Sequence, residues 1–400
     1  MIELLVLVLI GCILGVLTGI TPGIHVNMVC LLGFILYNDL GLTSTQFAVA
    51  MISMAVTHTF LDFIPAIFIG VPEEQTALSV LPAHRMVLEG NAYEAVKITG
   101  YGSIIGLFFA TASIPAALYF VPKIYFLLRG VIVYVLIIAV AYLIFREKTW
   151  KKRLWAVTIF TLAGWLGFVA FNQQIISENL ILFPLFSGLF GLSTIIHSLR
   201  QENTFIPQKE YAIVDVDKNF VTSGFLGALG GMLVGILPAM SPSQVGILLT
   251  RFYKENTRNF LVAVSAINTS DAIYSFIALY TIQNPRSGVA TILGKIIDLD
   301  YNTLLLFLGV IAFTAPIALA LHLKIGRIAL KFSRKINFRN LNIAAFAIVV
   351  FLIYFFTGFW GFLFAITATV LGLLPIQTGV SRTHSMGVLI LPTIIYFLGL

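Results

Sequence analysis

The sequence predicts an all-α polytopic membrane protein with two structural repeats, broken or re-entrant helices and about 10–13 membrane segments. Three observations lead to this fold class. Of 400 residues, 59% are hydrophobic and 10% are charged, whereas a water-soluble chain carries roughly 25% charged residues. Apolar runs of about 20 residues, the length that spans a bilayer, recur along the whole chain. Finally, a proline-broken apolar segment occurs twice.

The apolar runs give the order of the predicted membrane segments. The first run contains Glu3 and lacks a basic start or a small-residue cleavage site, so we expect a retained helix and not a signal peptide. Two stretches, 47–70 and 260–282, are apolar but interrupted. The uninterrupted runs lie at about 2–20, 24–40, 98–120, 125–145, 154–170, 180–197, 220–237, 303–322, 341–357, 359–374 and 384–400.

The repeated segment consists of an apolar run, a Gly-x-x-Pro break and a second apolar run. It begins at Gly15 and returns at Gly231, without gaps, over residues 15–32 and 231–248. Backbone that is freed by such a break inside a bilayer must be satisfied by protein or by a water-lined cavity. Broken helices at matching places in two halves mark the binding sites of transporters. The identical pairs are Gly15/Gly231, Leu17/Leu233, Gly19/Gly235, Ile20/Ile236, Pro22/Pro238, Val29/Val245 and Leu32/Leu248.

Each break is followed by the start of a new helix with polar residues in its first turn. A capping residue precedes proline in both copies, as Thr21-Pro22 and Ser241-Pro242. A helix N-terminus offers unpaired N–H groups and a positive dipole end, which suit a carboxylate or a phosphate. The alternative is an ordinary proline kink in a packed bundle. The candidate anion-binding residues are Thr21, Gly23, His25 and Asn27 in the first copy and Ser241, Ser243 and Gln244 in the second.

Ionisable residues inside the two interrupted stretches are candidates for ion coupling. His58 and Asp62 are four residues apart, so they share one helix face, and Asp271 lies in the second stretch. Such groups are costly in a membrane unless they face a cavity or a partner. The alternative is a paired structural group or an interfacial position. Each stretch runs into a proline-containing loop with charged residues: Pro72, Glu73 and Glu74 in the first, and Pro285 and Arg286 in the second.

Two further arginines are candidates for binding an anion. Arg85 lies in an amphipathic segment, 82–97, whose simplest interpretation is a solvated loop face. Arg382 lies in a polar break at 377–384, which is either part of an anion site or a connecting loop. Arginine holds carboxylates and phosphates through two parallel hydrogen bonds. His197 and His322, at the ends of apolar runs, are predicted to be interfacial anchors.

Basic residues cluster between apolar runs and predict the orientation. Segments 146–153 and 324–340 are rich in Lys and Arg, which is typical of cytoplasmic loops of a plasma-membrane protein. If 146–153 is cytoplasmic, the two apolar runs that follow it, 154–170 and 180–197, return the linker 198–219 to the cytoplasm. We expect a first transmembrane repeat at 1–197, a polar linker at 198–219 and a second repeat at 220–400. Helix counting does not decide between parallel and inverted repeats; we favour inversion, because it brings half-helix ends to one midplane site.

The remaining composition excludes several classes of function. The net charge of +7 is concentrated in the predicted loops, so we expect contact with the lipid bilayer and no nucleic-acid binding. The chain contains no phosphate-binding P-loop, no Gly-x-Ser-x-Gly elbow and no His-Glu-x-x-His sequence. We therefore predict no enzyme activity, no catalytic residues, no metal site and no cofactor other than Na⁺ or H⁺ as a coupling ion.

Three stretches resemble the large membrane subunit of tripartite tricarboxylate transporters, the TctA family. They are Gly19-Ile-Thr-Pro22-Gly23, the loop Gly70-Val-Pro72-Glu-Glu-Gln-Thr-Ala, and the segment from Pro82 to Ala95. The second-half Gly235-Ile-Leu-Pro238 and Asn284-Pro285 are similar to the family's internal duplication. The resemblance implies a secondary carrier of small organic acids, which works with a small membrane subunit and a soluble binding protein.

The leading hypothesis is an ion-coupled, alternating-access transporter of a small organic anion, a carboxylate. The alternative is a translocase that flips a polyprenyl-phosphate lipid carrier, since a phosphate would use the same helix N-termini with His25 and Arg85 or Arg382. A membrane enzyme that acts on a lipid phosphate is a third hypothesis, with His58, His84 or Arg382 in catalytic roles. It lacks a recognised nucleophile or metal cluster in the sequence.

Overall fold

A computed structural model of the chain describes residues 2–21, 26–37, 39–68, 80–176, 178–200, 207–237, 242–249, 252, 256–333 and 338–399. Within these ranges every regular element is helical. The first half contains α1 Ile2–Ile20, α2 Val26–Leu36, α3 Ser44–Leu61, α4 Phe63–Phe68, α5 Val80–Leu88, α6 Ala92–Ala112, α7 Ile114–Arg129, α8 Ile132–Phe145, α9 Trp150–Asn172, α10 Glu178–Phe186, a π-helical turn Ser187–Leu192 and α11 Ser193–Leu199. The second half contains α12 Lys218–Ile236, α13 Pro242–Leu249, α14 Thr257–Ile282, α15 Gly288–Leu293, α16 Tyr301–Ser333, α17 Phe338–Thr378, a 3₁₀ helix Arg382–Met386 and α18 Gly387–Leu398.

The described residues confirm a polytopic helical membrane protein. Nine of their helical stretches are long and apolar enough to cross a membrane. One more pair, α7 and α8, passes that test only when taken together, and it is bent by 85°. The predicted total of about 10–13 segments also included shorter stretches such as 24–40. In the structure that stretch contains α2, which has 11 residues.

Two details of the predicted segments are settled by local backbone geometry. The predicted run 98–120 is interrupted, because α6 ends at Ala112 and α7 starts after Ser113 with a proline in its first turn. The predicted division between 341–357 and 359–374 is present, since Gly358 breaks α17 with φ 63° and ψ −163°. Only glycine adopts that conformation without strain.

In the first half, α1 and α3 run parallel and in close contact. The numbers of contacting residues increase in the same direction along both helices. The chain between α1 and α3 must therefore return to the side of the bundle on which α1 begins. A β-carbon added to any of three α1 glycines would lie 2.3–2.7 Å from an α3 atom. These pairs are Gly11 with Ala50 O, Gly15 with Met54 O, and Gly19 with Leu61 Cβ.

The short helix α2 makes the return journey. Gly33, near its end, packs on Phe47, near the start of α3, so α2 runs antiparallel to α3. At 1.5 Å per residue α2 is about 16 Å long, roughly half of a hydrocarbon core of ~30 Å. As a helix, α2 alone is therefore too short to cross the hydrocarbon core.

In the second half, α12, α13 and α14 have the same arrangement. A β-carbon added to any of three α12 glycines would lie 2.0–3.2 Å from the nearest α14 atom, and Gly230 packs on Leu249 at the end of α13. Because Leu249 lies back beside Gly230, α13 also returns toward the side on which α12 began. The α12–α14 pairs are Gly227 with Ala263 O, Gly231 with Ile267 O, and Gly235 with Tyr274 Cβ.

The unit α12–α14 runs in the opposite direction to the unit α1–α3. Residues that contact each other increase in number together along α3 and α16, so these two helices are parallel, and the same holds for α6 and α14. Along α6 and α16 the numbers run in opposite order, so that pair is antiparallel. It follows that α14 is antiparallel to α3, and that α12 is antiparallel to α1. The contacts are Ser53–Thr314 and Phe60–His322 for α3 with α16, Val96–Gly326 and Gly100–His322 for α6 with α16, and Gly102–Val262 and Gly106–Ala266 for α6 with α14.

One of these contacts corrects a sequence prediction. His322 is not an interfacial anchor but is fully buried within α16, where its Nε2 lies 2.8 Å from the Val96 carbonyl oxygen. The apolar run that seemed to end at His322 continues as helix to Ser333. His197, at the end of α11, is exposed.

Candidate functional site

The inner helices α3 and α14 are almost wholly buried, yet each carries a run of polar side chains halfway along the bundle. Polar groups in such a position must be paired or face a cavity, because the bilayer offers no water. These two helices run antiparallel, and their polar runs meet. The polar residues are Thr57, His58, Thr59 and Asp62 on the α3 side, and Asn268, Thr269, Ser270, Asp271 and Ser275 on α14.

The two runs are joined by one amide side chain. The Asn268 Nδ2 donates to Asp62 Oδ2 at 3.0 Å and to the Thr59 carbonyl oxygen at 3.3 Å. Both Asp62 and Asn268 are at most 2% exposed. A hydrogen bond to a charged carboxylate in a buried setting is strong, and its loss leaves a costly unsatisfied group. This contact therefore links the ionisable end of α3 to the centre of α14.

His58 is held between α1 and α3. Its Nδ1 lies 3.1 Å from Thr18 Oγ1, and that hydroxyl itself donates to the Gly15 carbonyl oxygen at 3.2 Å. Because the hydroxyl proton is directed at Gly15, the oxygen accepts the proton of His58 Nδ1–H. In that tautomer Nε2 is the ring nitrogen without a proton. The contact fixes both the orientation and the tautomer of the imidazole.

Asp271 lies at about the same depth as His58. It is three residues beyond Asn268, about 4.5 Å along a helix that runs antiparallel to α3, which places it level with Thr57 and His58. Ser275 Oγ donates to its Oδ1 at 3.4 Å. Unlike residues 259–270 of α14, which are all buried, Asp271 keeps part of its surface open. An ionisable group that is open at mid-depth indicates a cavity or a route for ions.

A second contact brings the two halves together at the start of α2. Asn27, in the first turn of α2, packs against Gly288 at the start of α15: a β-carbon there would lie 2.5 Å from Asn27 Cγ. Between α14 and α15, Gln283 has φ 50°, a left-handed conformation that ends α14 sharply. Asn284 Nδ2 then donates to the Tyr125 hydroxyl at 2.7 Å and ties the loop to α7.

The loop 283–288 dips into the bundle. Gly294, just after α15, packs on Leu279 near the end of α14, whereas Gly288 contacts the first turn of the half-length helix α2. The chain thus runs from the end of α14 inward to the first turn of α2, and α15 leads back toward the end of α14. Pro285 and Arg286 lie in the inward-running part and are half-buried.

Several predicted site residues are placed by the structure. Thr21 follows α1 directly and is half-buried, with its N–H bonded to the Leu17 carbonyl oxygen at 3.2 Å. Gln244 is fully buried in the first turn of α13, which also contains Ser243. Other predicted residues lie outside the described residues: Gly23, His25, Pro72, Glu73, Glu74 and Ser241.

Two predicted anion ligands lie in surroundings that do not favour that role. Arg85 is exposed and forms a pair with Glu89 at 3.0 Å, one helical turn away, as expected of a solvated face. Arg382 is buried and donates to the carbonyl oxygens of Leu189 (3.0 Å) and Phe190 (2.9 Å) and to Ser193 Oγ (2.9 Å). These oxygens belong to the π-helical turn and the start of α11. Arg382 therefore ties that distorted helix to the C-terminal break, and we leave both arginines out of the site.

The sequence analysis did not single out Thr18 or Tyr125, and it gave Asn268, in the polar stretch that ends at Asp271, no role of its own. Each is a hydrogen-bonding residue in an apolar helix, which is a weak signal by itself. Their contacts join residues 40, 206 and 159 positions apart, so only the packed structure reveals them. Among the described residues, no group of three or more His, Cys, Asp or Glu side chains is arranged to hold a metal ion.

Comparison with known proteins identifies the family of this chain. The family model described as "Tripartite tricarboxylate transporter TctA family" matches residues 5–387. The chain belongs to the TctA family. It is therefore a component of a membrane transporter and a member of a family that is not a family of enzymes. The family provides the large subunit of a tripartite system that also has small membrane and periplasmic binding partners.

The chain also matches a relative over its full length. The chain is 31% identical over 408 residues to Uncharacterized protein MJ1079 of Methanocaldococcus jannaschii, and the match covers 100% of both chains. No solved structure matches this chain.

Proposed function

We propose that this TctA-family protein is an ion-coupled secondary transporter of a small organic carboxylate that works by alternating access. The observation that carries the proposal is the polar crossing of two antiparallel inner helices. There Asn268 of one half binds Asp62 of the other, and Asp271 stays partly open at the same depth as His58. A transporter needs such a set of ionisable groups where its two halves meet.

We further propose that the units α1–α3 and α12–α14 are an inverted duplication. The three glycine contacts of the second unit involve the same atoms, in the same order, as those of the first. Their helices run in opposite directions. In alternating access, one such unit exchanges its inward-facing and outward-facing contacts with the other.

The substrate would bind near the first turns of α2 and α13. Both are half-length helices that follow a proline break and start inside the bundle. An anion near Asn27 or Gln244 would meet amide donors and the positive end of a helix. Thr21, Gly23 and His25 precede α2, and Ser241 and Ser243 flank the start of α13 in the sequence. The loop with Pro72, Glu73 and Glu74 would be the counterpart of 283–288.

Coupling would use Asp62, His58 and Asp271. A carboxylate is a ligand for Na⁺ when it is ionised and a carrier of H⁺ when it is not. The hydrogen bond from the Asn268 amide is strongest when the Asp62 carboxylate is ionised. Protonation of Asp62 would therefore weaken the contact that holds α14 against α3. The coupling ion is accordingly Na⁺ or H⁺.

The two basic segments and the polar linker support one orientation in the plasma membrane. Arg146 donates to the Ile247 carbonyl oxygen at the end of α13. Lys97 and Tyr93, at the start of α6, contact Ala212 of the linker and Arg327 of α16. These contacts bring the described parts of 146–153, 198–219 and 324–340 to one end of the bundle, which we propose is cytoplasmic. The partners would be a small membrane subunit and a soluble binding protein.

The test compares two transport modes in proteoliposomes. The purified protein is first screened by thermal shift against citrate, succinate and an isoprenyl phosphate, with and without Na⁺. The stabilising carboxylate is then used in uptake driven by an ion gradient and in counterflow, which needs no net ion movement. Asp271→Asn should reduce gradient-driven uptake at least tenfold and leave counterflow within twofold.

Equal loss of both modes in Asp271→Asn would contradict a coupling role. Stabilisation by the isoprenyl phosphate alone would favour the alternative, a translocase of a polyprenyl-phosphate lipid. Arg85→Gln serves as the control variant, since Arg85 lies on an exposed face and pairs only with a neighbouring turn.

A further inference from the structure

We infer that Arg286 is the residue that holds a carboxylate group of the transported anion. The inference rests on the proposed function and deepens it, because it names the cation that recognises the substrate. It is drawn from the placement of Arg286 and from the bonds that this arginine does and does not make.

Arg286 lies in the part of loop 283–288 that leads into the bundle. Two residues after it, Gly288 packs against Asn27 in the first turn of α2. Two residues before it, Asn284 is bound to the Tyr125 hydroxyl. The guanidinium is thus carried by a segment that is fixed on both sides and that ends at the half-length helix proposed to face the substrate.

The bonding of Arg286 differs from that of the other arginines with partly or fully buried side chains. Its Nε is shielded from solvent and has no hydrogen-bond acceptor in the described part of the chain. A buried ionic donor without an acceptor is costly, so a site of this kind is completed by a ligand or by water. Arg258 Nη2 and Arg382 Nε are shielded donors of the same kind, but each of these side chains also has an acceptor: Arg258 pairs with Asp217, and Arg382 donates to the π-helical turn. Arg153 donates to the Glu147 carbonyl oxygen.

The chemistry of the group fits a carboxylate. A guanidinium presents parallel N–H donors that match the two carboxylate oxygens, and Nε is one of the donors used in such a pair. The nearby Tyr125 hydroxyl and Asn27 amide would donate to the remaining oxygens of an organic acid. Neither of them carries a charge that would compete for Arg286.

Arg286 also distinguishes the two halves of the protein. With the offset of 213 that matches Pro72 to Pro285, Arg286 corresponds to Glu73. Only one of the two loops therefore brings a cation, and the other brings an anion. The carboxylate would bind on the side of the α2 tip and not symmetrically at both tips.

The experiment is a double-mutant cycle between the protein and its ligand. Binding of succinate and of succinamate, in which one carboxylate is a neutral amide, is measured for the wild type and for Arg286→Gln. If Arg286 holds that carboxylate, the change to succinamate weakens wild-type binding about 10- to 100-fold. The same change in the ligand should alter binding to Arg286→Gln less than threefold. Arg286→Lys, which keeps the charge but not the fork, should be intermediate.

Each outcome decides a different question. If the wild type binds neither succinate nor citrate, the proposed function fails. If it binds succinate and Arg286→Gln discriminates succinamate as strongly as the wild type, the assignment of Arg286 is overturned. Arg286→Lys keeps the test decisive if Arg286→Gln does not fold, because full discrimination with unchanged affinity in this variant excludes a bidentate contact. Arg85→Gln should match the wild type.

Discussion

The units α1–α3 and α12–α14 share their backbone packing and differ in their polar side chains. At matched positions the glycines approach the same atoms of the inner helix. With the offset of 213, however, His58 corresponds to Asp271, and Asp62 corresponds to Ser275. With the offset of 216 for the outer helix, Thr18 corresponds to Val234. The glycine contacts recur in both units, whereas the ionisable side chains differ in identity or have no counterpart.

This difference separates the residues that build the units from those that carry chemistry. The glycines make the same contact twice, so their role is to let two helices approach. His58, Asp62 and Asp271 occupy positions where the halves disagree, and a structural requirement alone would act on both halves alike. Under the proposed function, this asymmetry predicts that ions and substrate are handled differently on the two sides of the crossing.

The largest expected effect comes from filling the shared helix contact. Gly15→Leu and Gly231→Leu should each prevent folding or lower stability by more than ~3 kcal/mol, since a β-carbon would lie 2.6 Å from Met54 O or 2.0 Å from Ser270 Oγ. Folded protein is measured by size-exclusion chromatography and thermal unfolding in detergent. Gly309→Leu is the control, because a β-carbon at Gly309 meets nothing within 4 Å. A stable, monodisperse Gly231→Leu variant would break the equivalence of the two units.

The repeated break, the fold class and the ionisable residues were predictable from the sequence. Glycine, proline and carboxylates in apolar runs carry strong local signals, since few surroundings tolerate them there. The crossing itself was not predictable: Asn268 finds Asp62 only because α3 and α14 pack antiparallel, and no local pattern encodes that pairing. The arginines show the same limit. Both Arg382 and Arg286 lie in polar breaks of the sequence. Only the packed structure shows that Arg382 donates to the π-helical turn and that Arg286 makes no such bond to the described residues.

The second-largest effect is expected at the matched pair Asp62 and Ser275, where one half has a carboxylate and the other has a hydroxyl. Asp62→Asn should lower gradient-driven uptake about 10- to 100-fold, because it removes a charge from a buried hydrogen bond to Asn268. Ser275→Ala, at the matched position, should stay within about threefold, since only a 3.4 Å bond to Asp271 is lost. Uptake is compared at equal amounts of folded protein. Equal effects of both substitutions would show that the halves are functionally symmetric after all.

The smallest effect is expected at Thr18, whose hydroxyl contacts the His58 imidazole. The matched residue in the second half is Val234, which has no imidazole to contact. Thr18→Val gives the first unit the residue that stands at the matched position of the second, and it removes the acceptor of His58 Nδ1–H. A neutral hydrogen bond is worth about 1 kcal/mol, so gradient-driven uptake should fall about fivefold while the protein remains folded. Thr222→Val is the control, since its hydroxyl bonds only within its own exposed turn of α12. If Thr18→Val leaves uptake unchanged while Asp62→Asn abolishes it, the carboxylate couples transport without a fixed histidine, and His58 belongs to the packing that both units share.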